Sequence, residues 1–115
     1  MTESEFLALA ERSLNSIEAA FEHVVNTSDV DVECSRHGNV LEIEFIDNGS
    51  KIIVNSQAPM QELWVAAKSG GFHYKHDGTK WLDTRAGSEL FAALSQMASL
   101  QAGANVVLQG NIQVG

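Results

Sequence analysis

Carboxylates are the side chains of this chain that most suggest chemistry, and they come in two spacings. In SDVDVEC, residues 28 to 34, Asp29, Asp31 and Glu33 alternate with Val30, Val32 and Cys34, the period of two that marks a half-buried strand. The valines and the cysteine then face inward while three acids stand outward in a row, successive members roughly 7 Å apart. At that separation each neighbouring pair repels by about 0.6 kcal/mol in water before salt screening, a strain that a bound cation relieves. The second spacing is helical: Glu11, Glu18 and Glu22 fall along one border of an apolar stripe, where an adjacent strand would extend their row. Oxygen donors suit hard or borderline cations such as Mg²⁺, Ca²⁺, Mn²⁺ and iron ions. Metal–oxygen bonds of roughly 2–2.5 Å do not span strand carboxylates about 7 Å apart, so the pattern predicts several shallow, exchangeable sites instead of one tight site. The rival reading of the strand is a solvated edge, charged against aggregation.

Little else points to catalysis. HExxH, GxSxG, Walker-type and GxGxxG motifs are absent from the sequence. His73 and His76 lie three apart in a candidate strand and so face opposite ways, and His23 and His37 have no partner at a ligand spacing. Cys34 is the single cysteine, which excludes an internal disulfide and any CxxC site. The alternation turns it inward, as an inert thiol.

The net charge of −8 is unevenly spread. Residues 1 to 50 hold 11 acids against Arg12 and Arg36, a balance of −9, whereas residues 51 to 115 hold four acids against five bases, a balance of +1. Such an acidic half repels phosphate backbones, and no basic stripe with interleaved aromatics compensates, so nucleic acid is not an expected partner. Cations or a basic protein surface are. The opening MTESEFLALAERSL is polar and acidic, unlike a secretory or transit leader, and no apolar run approaches the ~20 residues that cross a bilayer. The chain reads as soluble, cytoplasmic and not membrane-bound.

The elements that must position these acids follow from periodicity. Phe6, Ala10, Leu14, Ile17, Phe21 and Val24 recur at steps of three and four, predicting a helix over about 3–25 with Thr2 or Ser4 as its cap. The acidic strand comes next, then VLEIEF(I) at 40–46 and SKIIVN at 50–55, joined through the turn signal Asp47-Asn48-Gly49. Segments at 62–68, 72–76 and 80–83 continue the meander, with Gly70-Gly71 and Asp77-Gly78 as punctuation. A second helix is expected over 87–101, capped by Ser88, with Leu90, Leu94, Met97 and Gln101 on one line and Gly103 as its stop. NVVLQ at 105–109 reads as an extended tail that tucks in. The expected fold is an α+β two-layer sandwich: an antiparallel sheet of about six strands with both helices on one face and the other face, carrying Glu42 and Glu44, open to water. One domain over residues 1–109, with a C-terminal tail at 110–115, accounts for the chain.

The segment IVNSQAPMQELWVAAKSGGFHY, residues 53 to 74, adds a specific signature through Asn55, Gln57, Pro59, Gln61, Trp64, Ala66 and Gly70-Gly71. With SEF at 4–6, SDVDVE at 28–33, NGSKIIVN at 48–55 and QAG at 101–103, it resembles the frataxin family in its bacterial, CyaY-type branch, over about residues 3–109. The resemblance implies a sandwich of two helices on an antiparallel sheet. It also implies a non-catalytic role in iron–sulfur cluster assembly, as iron donor or regulator. Iron, Fe²⁺ or Fe³⁺, would bind weakly and exchangeably on an acidic ridge. Carried over position by position, that ridge is Glu18, Glu22, Asp29, Asp31 and Glu33, with Asp47 nearby. A cysteine desulfurase is the implied partner, with the cluster scaffold protein a second candidate, and the protein itself a monomer. Ala19, His23, Val25 and Thr27 stand where related sequences often carry acids, which implies a lighter load of iron; His23 reads either as an added nitrogen ligand or as a solvated side chain.

Trp64 also has two readings. Most strand indoles are core, yet if Leu63 and Val65 face the helices, Trp64 faces out as a binding anchor, which is the reading the resemblance favours. Asn55, Gln57 and Gln61 are either turn-stabilising amides or part of the same patch. A competing function is ferroxidase or iron storage in an oligomer, resting on the same carboxylates. A third is an interaction domain indifferent to metal.

Overall fold

A computed structural model describes residues 1–109; the segment 110–115, read from sequence as a tail, lies outside the described residues. The order is α1 (Glu3–Thr27), β1 (Val32–His37), β2 (Val40–Phe45), β3 (Ser50–Gln57), β4 (Glu62–Ala67), β5 (Gly70–His76), β6 (Trp81–Asp83) and α2 (Leu90–Ala102). The six strands pair in sequence order, every pair antiparallel. This is the expected α+β sandwich. Among the described residues no helix is long and apolar enough to cross a membrane.

α1 begins where the sequence places its cap. The Thr2 hydroxyl accepts from the Glu5 backbone N–H at 3.1 Å while the Glu5 carboxylate accepts from the Thr2 N–H at 2.7 Å, a reciprocal capping box. All six residues of the apolar stripe are buried. Phe6 meets Trp81 of β6 edge to face and Phe21 meets Phe45 of β2 in the same way, so α1 crosses the sheet from its β6 side to its β1–β2 side. That crossing carries the helix's C-terminal half, with Glu18 and Glu22, to the β1 edge.

Several boundaries differ from the sequence reading, each for a physical reason. The acidic strand starts at Val32, so Asp29 and Asp31 lie in the connection from α1. Val32 pairs with Phe45, the last residue of β2, and beyond it only the Asp31 carbonyl, accepting from the Ile46 N–H at 3.1 Å, extends the pairing. Ser28 holds the helix end instead of opening a strand: its hydroxyl donates to the Val24 carbonyl at 2.6 Å and accepts from the Val30 N–H at 3.2 Å. α2 starts three residues later than expected, and Glu89, not Ser88, caps it by accepting from the Phe91 and Ala92 N–H groups. Ser88 is occupied elsewhere, its carbonyl accepting from the Asp83 N–H at 2.8 Å. Gly70 and Gly71 are not a break but the first residues of β5, Gly70 pairing with Ala67 across the turn. Gly70 has φ +140°, a conformation closed to most side chains. β2 ends at Phe45 and β3 runs on to Gln57, around a turn at 46–49 with Gly49 at φ +73°.

Helix α2 ends as expected at Gly103, left-handed at φ +68°. The segment after it packs: Val106 and Leu108 are buried, and their N–H groups donate to the hydroxyls of Ser99 and Ser95.

Candidate functional site

Alternation across β1 sends Val32, Cys34 and Arg36 toward the helices and Glu33, Ser35 and His37 to the open face, as the pairing of Cys34 with fully buried Ile43 requires. At this edge α1 and β1 leave a cleft of about 510 Å³ lined by Glu22, Val25, Asn26, Val32, Glu33 and Cys34. Glu22 from the helix and Glu33 from the strand both line this cleft, Glu33 at its rim where the side chain leaves β1 toward the open face. Asp29 and Asp31, both exposed, occupy the connection between those two elements. Asp47 sits in the β2–β3 turn, and its neighbour Ile46 is the residue bonded to Asp31, which brings Asp47 to the same end of the sheet. Five of the six ridge acids thus gather on one edge from three separate pieces of chain. Among the described residues none of these five takes part in an ion pair.

Glu18 is the exception. Arg36, only 18% exposed, donates through Nη2 to Glu11 Oε1 at 2.7 Å and through Nη1 to Asn15 Oδ1 at 2.8 Å, and its Nη1 stands 3.8 Å from Glu18 Oε1. Glu18 differs from the other five because residue 36 has the parity of the core face and reaches over the β1 edge onto α1. The sequence reading missed Arg36. Its signal was available: a base at an inward strand position inside an acidic half needs an internal partner.

Among the described residues, no three or more His, Cys, Asp or Glu side chains converge on a point where one metal ion would be held. The arrangement offers carboxylates spread from the end of α1 through the connection into β1. Cys34 does not add a thiolate. Burial first, then the negative charge of Glu18 and Glu22, pushes its thiol up to about 12, so near neutrality it keeps its proton. His23 is exposed on α1, and among the described residues no ion pair joins it to the ridge acids.

The second set of sequence-predicted residues lies on the open face. Asn55 of β3 pairs with Trp64 of β4, which pairs with His73 of β5, so the three side chains form one row. The indole faces away from the core but is not bare: His73 stacks on it with ring centroids 4.2 Å apart and planes 4° from parallel. Trp64 Nε1 donates to Glu62 Oε1 at 2.8 Å, and His73 Nδ1 stands 3.6 Å from the same oxygen. The Gln57 amide donates to Asn55 Oδ1 at 2.9 Å. Gln61 leaves the row: at φ +54° in the β3–β4 turn, its amide reaches the Met1 carbonyl at 2.9 Å. His73 was missed because only the β4–β5 register sets it beside Trp64, whereas Glu62 had a signal, the period of two that puts residues 62 and 64 on one face.

Two helices on one face of a six-stranded antiparallel sheet, with a carboxylate edge and an open face that carries a braced tryptophan, define a small two-layer α+β sandwich. The model of the Frataxin-like domain matches residues 1–104, and the chain belongs to that family. It is 73% identical over 109 residues to the iron-sulfur cluster assembly protein CyaY of Janthinobacterium sp. (strain Marseille), covering 95% of this chain and 97% of that one. It is 62% identical over 109 residues to the protein of the same name from Cupriavidus metallidurans, with the same coverage. Among solved structures, frataxin from Psychromonas ingrahamii superposes with a TM-score of 0.83 at 34% identity, over 95% of this chain and 99% of that one.

Proposed function

We propose that this protein is a non-catalytic accessory protein of iron–sulfur cluster assembly, working in the cytoplasm as a monomer. It carries iron as an exchangeable cargo on the edge formed by Glu22, Asp29, Asp31, Glu33 and Asp47. It docks the same edge on a basic patch of a cysteine desulfurase, as iron donor or regulator. The names of its relatives support the process. The observation that carries the site is that Glu22 and Glu33, from two different elements, line one cleft and among the described residues have no ion-pair partner. Carboxylates held near each other at an edge attract hard cations and basic surfaces over a distance of about a Debye length. They bind each ion loosely, since no closed shell surrounds it. On the open face, Trp64 with Asn55 and Gln57 forms a second contact patch, suited to the cluster scaffold protein, in which a braced indole presents area at little entropic cost.

The test is calorimetric titration of purified cysteine desulfurase with the wild type and with the Asp29→Asn, Asp31→Asn, Glu33→Gln variant at low salt. Binding is expected to vanish in the variant, with the melting temperature unchanged or slightly raised because repulsion is relieved. Added salt is expected to weaken the wild-type complex. An affinity that survives the triple substitution overturns the proposal.

A further inference from the structure

Arg36 divides the acidic row into two unequal ends. Each of its three guanidinium nitrogens is engaged: Nε donates to the Gly38 carbonyl at 3.0 Å, Nη1 to Asn15 and Nη2 to Glu11, with Glu18 3.8 Å from Nη1. The Gly38 contact belongs to the β1–β2 turn, where Gly38 is left-handed at φ +62°, so the strand's own hairpin aims the fork at α1. A planar guanidinium held at all three nitrogens is prepositioned and loses little freedom in keeping these contacts. At one end of the row Glu11 and Glu18 share this cation, leaving a balance of −1. At the other end Glu22, Asp29, Asp31 and Glu33 hold four charges with no ion pair among the described residues.

We infer that Arg36 is a specificity-determining residue, a built-in counter-cation that closes the Glu11–Glu18 end of the ridge to external cations and confines them to the Glu22–Glu33 end. An incoming ion at Glu18 meets a guanidinium whose Nη1 stands 3.8 Å from the carboxylate oxygen, and that guanidinium is held in place by its bonds to Glu11 and Asn15 on the same helix. This rests on the reading of the ridge as a cation surface, and it sets that surface's extent.

Mn²⁺, a hard paramagnetic ion, provides the probe. Its broadening of backbone amide resonances is mapped on the wild type, Arg36→Gln and Arg36→Lys, each first checked for its melting temperature and amide spectrum. In the wild type the broadening is expected at residues 22–33 and weak at 11–18. In R36Q it spreads to 11–18, with Mn²⁺ retained there roughly two- to fivefold more tightly, the change expected of an ion pair this exposed. R36K, which keeps the charge but loses the fork, falls between the two. A wild type already broadened equally at both ends, or an R36Q map identical to the wild type, overturns the inference. If R36Q does not fold, Arg36→Met takes its place as the uncharged variant: spread to 11–18 supports the role and a wild-type pattern ends it. Absence of broadening at 22–33 in the wild type counts against the cation reading of the ridge, while the comparison at 11–18 still decides what Arg36 does.

Discussion

Cys34 lines the same cleft as Glu22 and Glu33 and yet contributes no charge to it. Its half-buried position, and the two glutamates behind it, make the thiolate costly. A thiol raised from 9.0 to about 12 has about a thousandth of the ordinary thiolate population near pH 8, and the thiolate is the reactive form. Iodoacetamide is therefore expected to alkylate Cys34 in the folded protein far more slowly than in urea, by up to about a thousandfold, read by mass spectrometry. The sign of the linkage follows: the folded state prefers the protonated thiol, so this group leaves stability untouched below pH 9 and erodes it as pH rises from 9 toward 12. Equal labelling rates folded and unfolded would show the thiol to be open. The outward direction of Trp64 follows from Leu63 and Val65 on either side of it, and the Glu62 oxygen that fixes its N–H stands two residues earlier on the same face of β4, whereas the His73 ring that covers it comes from the register of β5.

Among the elements, the helices were the most legible. A 3.6-residue stripe and a Thr-x-x-Glu start are local signals, and α1 obeys both. The second helix shows where local signals compete. Ser88 is the better cap by residue type, but its backbone is drawn into the pairing with Asp83, and the start passes to Glu89, whose carboxylate covers two N–H groups. Replacing Glu89 by alanine exposes both donors and removes an anion from the positive end of the helix. It should cost about 1 kcal/mol in urea denaturation, with serine at 89 recovering a good part of it. A destabilisation within error would mean that α2 is held by packing alone. The acidic strand erred in the opposite direction: its alternation in burial does run from Asp29 to Cys34, but hydrogen-bond partners run out after Phe45, so half of the pattern lies in extended chain outside the ladder.

For the whole molecule, Gln101 ties the two layers together. It is almost fully buried on α2, accepts from the Lys68 N–H through Oε1 and donates through Nε2 to the Ser50 hydroxyl and the Lys51 carbonyl, while its own carbonyl accepts from the Asn48 amide. One side chain thus serves the β2–β3 and β4–β5 turns at once. Gln101→Leu keeps the volume but strands those backbone groups, and unfolding by urea is expected to show a loss of about 2–4 kcal/mol. A loss below about 0.5 kcal/mol would mean that water takes over these bonds. By composition and period alone, the chain settles its two helices, its antiparallel meander, the inward and outward sides of each strand and the acidity of its first half, because those depend on neighbours a few residues apart. Which acids share an edge, that Arg36 takes Glu11 and Glu18 out of the row, and that His73 stacks on Trp64 were decided only when α1 crossed the sheet and the strands took their register, since these contacts join residues of different elements that local spacing does not relate.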